Sequence, residues 1–310
     1  MTDGRATGLA TDGGVEKGKR RRKCLFVVLA VLAGSIMSLC ATVPAFAGLP
    51  TGDFSAFGDC PFGAPNTQCM YITITGGEIK IGSISVPINR DIVLQGGIVE
   101  TADEEIFVGA DDGNTLSPTA VEVPGGLRGL PTCRGPAISF ARAGCEAIPG
   151  GALSSLTATA ELAAPASSIS IAEVNVINGS GVVLSLPLKF RLKNPSLGST
   201  CYIGSSAHPV TLNFTDGKTS PPPPNRPISG RTGELSLKDH EEYLELPHTV
   251  LVDNSFSIPA AQGCGGVDAY RLDPLIDARL GLPAAAGSST AIFAARLQVA
   301  TAVAVEESEK

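Results

Sequence analysis

Val182-Val-Leu-Ser-Leu-Pro-Leu-Lys-Phe-Arg-Leu192 alternates over its whole length. Its even positions read Val, Leu, Leu, Leu, Phe and Leu, while the odd positions after Val183 are Ser185, Pro187, Lys189 and Arg191. Successive side chains of a strand point to opposite faces, so a period of two predicts a long strand with one face buried. The same pattern recurs at Leu156–Leu162, Ile169–Ile171, Val210–Phe214 and Phe293–Val299. Shorter segments at Tyr71–Thr75, Glu78–Ile81 and Ile84–Ile88 are separated by Gly76-Gly77 and Gly82-Ser83, which predict tight turns. Together these predict an all-β protein, an antiparallel β-sandwich of one or two β domains.

One short helix is predicted over 274–280, with Asp273 as N-cap, Pro274 at the first helical position and Gly281 as the stop. Leu275 and Ile276 are its core contacts, and Asp277 and Arg279 then face solvent. The tail from Glu306 is expected to fray. Residues 124–151, rich in Gly and Pro, divide an N-terminal β region (48–123) from a C-terminal one (152–305), or form a long loop within one domain. Pro221-Pro-Pro-Pro-Asn-Arg-Pro227 predicts a stiff extended segment.

The first 47 residues carry a different signal. A basic run, Lys17-Gly-Lys-Arg-Arg-Arg-Lys23, precedes an apolar stretch from Leu25 and then Ala45-Phe-Ala47. This is the pattern of an export signal with a cleavage site before Gly48. The alternative is an uncleaved membrane anchor, since Leu25 to Ala47 is long enough to cross about 30 Å of hydrocarbon. Cleavage takes away seven Lys/Arg and three Asp/Glu and leaves 16 basic and 27 acidic residues, a net charge of −11. That charge repels nucleic acid and anionic lipid, so the expected partner is a cell-envelope component or a protein, with membrane contact only through an uncleaved leader. The chain has no Trp and four Tyr. That scarcity weighs against a sugar-binding module, which usually needs stacking aromatics, and against a membrane barrel, which usually carries aromatic girdles.

Six cysteines follow the leader: Cys60, Cys69, Cys133, Cys145, Cys201 and Cys264. In an exported chain they form three disulfides, with fifteen connectivities open. Cys60 and Cys69 flank one short loop and Cys133 and Cys145 another, which favours pairing within each and leaves Cys201 for Cys264. No Cys-x-x-Cys occurs, and no histidine lies near a cysteine.

Few residues promise chemistry. Asp103, Glu105, Asp111 and Asp112 cluster around Ile106-Phe-Val108, where two turns could offer carboxylates to calcium, the one cofactor considered. His240 and His248 lie about 26 Å apart on an extended strand at ~3.3 Å per residue, too far for one metal unless the chain folds between them. A surface hairpin accounts for them. There is no Gly-x-Ser-x-Gly nucleophile elbow. Glu161, Glu173 and Glu234, the carboxylates a glycosidase could use, fall on predicted strands. No catalytic or cofactor-binding residue is assigned.

Phe57-Gly-Asp-Cys-Pro-Phe62, Asn66-Thr-Gln-Cys-Met-Tyr71, Val93-Leu-Gln-Gly-Gly97, Pro227-Ile-Ser-Gly230, Leu251-Val-Asp-Asn254 with Ile258-Pro-Ala-Ala261, and Leu280-Gly-Leu-Pro283 resemble segments of a group of secreted actinobacterial proteins of unknown function. The resemblance spans most of the chain after the leader. It implies an exported, disulfide-bonded envelope or extracellular protein of a Gram-positive, high-GC bacterium and brings no functional residue. The expected role is structural or binding. The alternatives are a hydrolase of envelope glycans and an oligomeric β-barrel pore with Lys189, Arg191 and Lys193 facing its lumen.

Overall fold

The alternating segments form two seven-stranded antiparallel sheets in a computed structural model that describes residues 48–63, 66–101, 104–127, 155–239 and 242–309. The first sheet holds β1 (Thr67–Ile81), β2 (Ile84–Ile88), β3 (Ile92–Glu100), β4 (Glu105–Gly109), β11 (Ser236–Lys238), β12 (Tyr243–Asp253) and β14 (Thr290–Thr301). Its order is β11-β12-β14-β1-β3-β4, with β2 also paired to β1. The second holds β5 (Ala120–Glu122), β6 (Thr157–Leu162), β7 (Ser170–Ile171), β8 (Leu184–Lys193), β9 (Tyr202–Ile203), β10 (Val210–Phe214) and β13 (Ala261–Gln262). There the order is β13-β9-β8-β6-β5, with β7 and β10 also on β8.

β8 carries the pattern that predicted it. Leu184, Leu186, Leu188, Phe190 and Leu192 are all buried, and they share one core with Ile72, Ile74 and Ile79 of β1. Phe214 of the second sheet meets Phe293 of the first with ring centroids 5.1 Å apart. The protein is therefore an all-β sandwich. Strands from either side of residues 124–151 share a sheet, because β14 pairs with β1 along almost its whole length. The described residues thus lie in one compact unit.

The outer face of the first sheet is also covered. A 3₁₀ turn at Gly52–Phe57 and a C-terminal helix pack Phe57 and Val305 onto Cys60, Cys69 and Tyr243. Under them, Glu245 accepts from Arg296 Nε at 2.5 Å, and Gln298 donates to the Tyr243 hydroxyl at 2.8 Å. These polar groups alternate with the core-facing residues of β12 and β14.

Four expectations need correction. Gly76-Gly77 is not a turn: β1 runs through it, and the register against β14 shifts there by one residue. Gly77 has φ +118°, and a Cβ on it would lie 2.1 Å from the Ile292 carbonyl oxygen, so the glycines serve a close strand crossing. By contrast Gly82, at φ +53°, does turn β1 into β2.

Among the described residues the single helix becomes three: α1 (Glu173–Asn178), α2 (Ala269–Leu280) and α3 (Ala302–Glu307). α2 begins before Pro274, which sits inside it. The carbonyl that loses its partner belongs to Tyr270, an exposed residue, so water can satisfy it. Asp273 does not cap the helix. Its carboxylate accepts from the backbone N–H groups of Gly263 and Cys264, and Asp277, rather than facing solvent, accepts from Ala261 N–H at 2.7 Å. Gly281 ends α2 in the left-handed conformation as predicted. Third, Glu173 opens α1 and Glu234 precedes β11, so of the three glutamates only Glu161 lies on a strand. Fourth, residues from Glu306 do not simply fray, since α3 runs to Glu307.

The proline-rich tract is an arched loop. Asn225 pins it by donating from Nδ2 to the carbonyls of Asn254 and Ser289.

Candidate functional site

Between the sheets, near the start of β1, the core does not close. Packing there leaves a cavity of about 450 Å³, within the ~300–1,000 Å³ range of small-molecule sites. Its floor follows from strand register. Leu244 pairs with Val299 and Val299 with Met70, while Leu246 pairs with Leu297 and Leu297 with Ile72. Directly paired residues project from the same face, so these make two parallel aliphatic rows across β12, β14 and β1. Leu237 on the edge strand β11 pairs with Leu244 and continues the first row to the surface.

One row nearer the start of β1, the chemistry changes. Gln68 pairs with Thr301, whose N–H donates to the Glu242 carbonyl. All three residues line the cavity and all three are exposed. At the other end Ile72, Val183, Leu184 and Leu251 are each at most 2% exposed. The cavity therefore runs from a polar mouth to an aliphatic interior.

The opposite wall is built by α1 and by Thr232, Gly233 and Leu235. α1 is short because Gly179 turns left-handed at φ +60° and closes it with N–H bonds to the carbonyls of Asn175 and Val176. Asn175 donates from Nδ2 to the Val182 carbonyl at 2.7 Å and pins the helix to the chain entering β8. Val176 packs inward, whereas Ile177 lines the mouth at 77% exposure. The 232–235 segment is held along β12, with Gly233 N–H donating to Thr249 Oγ1 and Thr232 to Asp216 Oδ2 at 2.6 Å.

Glu173 stands in this wall. One of its carboxylate oxygens, Oε1, is buried without a hydrogen-bond partner. Burial and, to a smaller degree, the negative charge of Glu105 hold its carboxyl above the usual range. Among the described residues lining the cavity, Glu173 and Glu242 are the charged ones, and there is neither a basic side chain nor an aromatic ring.

No known protein family, curated protein or solved structure matches this chain. The cavity is thus read from its own residues.

The residues singled out from sequence fall elsewhere. Cys60–Cys69 and Cys201–Cys264 are disulfides, with Cα–Cα distances of 5.4 and 4.0 Å. They point to an oxidising, extracellular-type environment. Cys133 and Cys145 lie outside the described residues, as do Asp103, His240 and the leader. Glu105 starts β4 opposite Glu100, and Asp111 and Asp112 sit in the turn after β4. Both Asp112 oxygens accept from Asn114, one from its backbone and one from its side chain, each at 2.7 Å. Among the described residues no three His, Cys, Asp or Glu side chains gather as a metal-ligand set. Glu161 accepts from the Tyr202 hydroxyl and pairs with Lys189 at 3.7 Å. No helix among the described residues is long and apolar enough to cross a membrane.

Sequence reasoning missed Gln68, Glu242 and Thr301, and with them the cavity. Their signal was present as the polar ends of alternating runs, Gln68-Met70-Ile72 and Leu297-Val299-Thr301. Only the register between distant strands brings those ends together.

Proposed function

We propose that this chain is an exported, non-catalytic binding protein of the bacterial cell envelope that holds an aliphatic ligand in the cleft between its two sheets. The observation that carries this reading is the cleft itself, a preformed cavity whose interior is Leu, Ile, Val and Met and whose polar groups are confined to its mouth and one wall. Such a site gains affinity by removing hydrocarbon from water, at roughly 25 cal/mol per Å² of apolar surface. Export is supported by the leader pattern before Gly48, by the two disulfides and by the resemblance to secreted actinobacterial proteins.

Preference for binding over glycan hydrolysis rests on the wall, which offers no ring for a sugar to stack on. Preference over a pore rests on β8, whose apolar face is spent in the sandwich core rather than left for lipid.

The experiment is a fluorescence titration of the exported protein with an alkyl-chain dye whose emission rises in apolar surroundings. The wild type saturates with one dye per chain, and Val299→Phe, which fills the floor, weakens binding about tenfold or more while circular dichroism and melting stay near wild type. Equal dye binding by the filled variant would overturn the reading.

A further inference from the structure

The exposed aliphatic side chains of this molecule are not scattered. Nine large apolar residues stand out to solvent among the described residues, and five of them, Val174, Ile177, Val182, Leu235 and Leu237, belong to the segments that frame the mouth of the cleft. Single exposed apolar residues are ordinary, whereas a contiguous group marks a surface that something covers.

Backbone contacts place all five. Val174 and Ile177 are three residues apart on α1 and so share one side of it, and Ile177 lines the mouth. Val182 is held beside α1 by the bond from Asn175 Nδ2 to its carbonyl. The end of α1 meets the 232–235 segment, since a Cβ on Gly179 would lie 3.7 Å from Thr232 Oγ1. Further along that segment Leu235 lines the same mouth, and Leu237 pairs with Leu244 of the floor. The rim is therefore continuous with the aliphatic interior.

We propose that this rim docks on an electroneutral lipid surface, and that the aliphatic ligand enters the cleft from that surface rather than from water. This rests on the binding reading above and goes beyond it by naming where the ligand comes from.

Three arguments select the occupant. The first is supply. Each methylene lowers the concentration of a free aliphatic chain in water about fourfold, so a chain long enough to fill the cleft resides in a lipid phase, and the cleft fills fastest by meeting that phase. The second is side-chain type. The five rim residues are Val, Ile and Leu, without the Tyr, Trp or Arg anchors on which protein interfaces depend, and aliphatic groups need no directional partner in hydrocarbon. The third is charge. Glu173 and Glu234 adjoin Val174 and Leu235 in the chain, Glu242 lines the mouth, and no Lys or Arg lines the cavity among the described residues. An anionic lipid surface would repel these carboxylates and a chain of formal net charge −7, whereas an uncharged or zwitterionic one imposes no such penalty.

The mouth also has a polar side, where Gln68 pairs directly with Thr301 on the floor sheet while Ile177 and Leu235 belong to the opposite wall. Docking sets the aliphatic side against acyl chains and leaves the polar side at the level of the head groups. A chain then passes along hydrocarbon the whole way and keeps its own head in the polar row.

The test is flotation of the exported protein with vesicles of phosphatidylcholine, and with vesicles containing about one-third phosphatidylglycerol, which raise the negative surface potential. Wild type is expected to float with the first and less with the second, and salt should narrow the difference. I177S/L235S, at two exposed positions, should weaken binding to phosphatidylcholine about tenfold or more. Val267→Ser, at an exposed residue that does not line the cavity, should leave it unchanged, and Val299→Phe should keep docking while losing the dye. Transfer of the alkyl-chain dye from vesicles to wild type should speed up with vesicle concentration, as loading by contact requires. If the dye binds but the vesicles do not, or if I177S/L235S floats like wild type, the docking surface is wrong while the aliphatic cleft stands. Preference for the anionic vesicles, or a transfer rate independent of vesicle concentration, also overturns the proposal. So does self-association in lipid-free buffer that I177S/L235S abolishes, since a second copy would then cover the rim. Failure of both dye and vesicles would remove the binding reading and this inference together.

Discussion

The backbone N–H of Asn213 on β10 donates to the carboxylate of Asp253 at the end of β12 at 2.7 Å, joining one sheet to the other. The second Asp253 oxygen accepts from Ser255 N–H at 2.8 Å, and Thr215 and Val252 exchange backbone bonds beside it. This corner is buried, with Asp253 at 2% exposure. Burial raises its pKa, and the three backbone bonds it accepts only partly offset that.

Asp253→Asn keeps the shape but turns an N–H₂ group toward one of the backbone N–H donors. We expect it to lower stability by about 1–3 kcal/mol, the cost of a buried donor left without an acceptor. The pH dependence has a definite sign. A carboxyl whose folded pKa is raised binds more protons folded than unfolded, so its contribution is full below the unfolded value and is lost as pH rises through the folded one. Urea melts across the acid range should therefore show wild type gaining on D253N as pH falls. A constant gap between the two would refute the raised carboxyl.

The two described disulfides should differ in worth. Cys201 and Cys264 are 63 residues apart, Cys60 and Cys69 nine. In the chain-entropy account the longer loop contributes about 4 kcal/mol and the shorter about 3. Replacing Cys201 and Cys264 together with serine should thus lower the melting temperature more than replacing Cys60 and Cys69. The reverse order, in calorimetry of the two double variants, would show that native contacts around the short loop outweigh loop closure.

Gly77→Ala should be among the most damaging single-methyl additions. The added Cβ would meet Ile292 O at 2.1 Å, and φ is +118°. We expect a loss above about 3 kcal/mol, combining strain and clash. Gly113→Ala, at a left-handed turn position with open space around it, should cost about 1–2 kcal/mol. Comparable melting of the two variants would mean that β1 shifts register freely against β14.

How much of this was legible beforehand depends on range. Val182–Leu192 and Val210–Phe214 announced their strands, because a period of two is written into consecutive residues and the buried face has to be apolar. Gly281 announced a helix stop for the same local reason. Gly76-Gly77 misled because glycine serves a turn and a close crossing equally well, and only the neighbour at Ile292 distinguishes them. Asp273 misled because a carboxylate before proline has the form of a helix cap, whereas its partners at Gly263 and Cys264 come from another segment. The cavity was the least legible part. Gln68, Glu173, Glu242 and Thr301 are unremarkable in sequence and become a site only through pairings between strands and across the two sheets.

The placement of β1 bears on how the molecule is made. Its partner on one side is β3, close by in the chain, but on the other it is β14, and Thr75 reaches Ala294 across 219 residues. A polypeptide delivered N-terminus first must therefore hold the edge of β1 unsatisfied until nearly all of it has emerged. Such high contact order slows folding and exposes a template for wrong pairing in the meantime. Vectorial synthesis cannot finish this sheet piecemeal. The sheet closes only once Thr290–Thr301, the strand that joins β1 to β12, is available to pair.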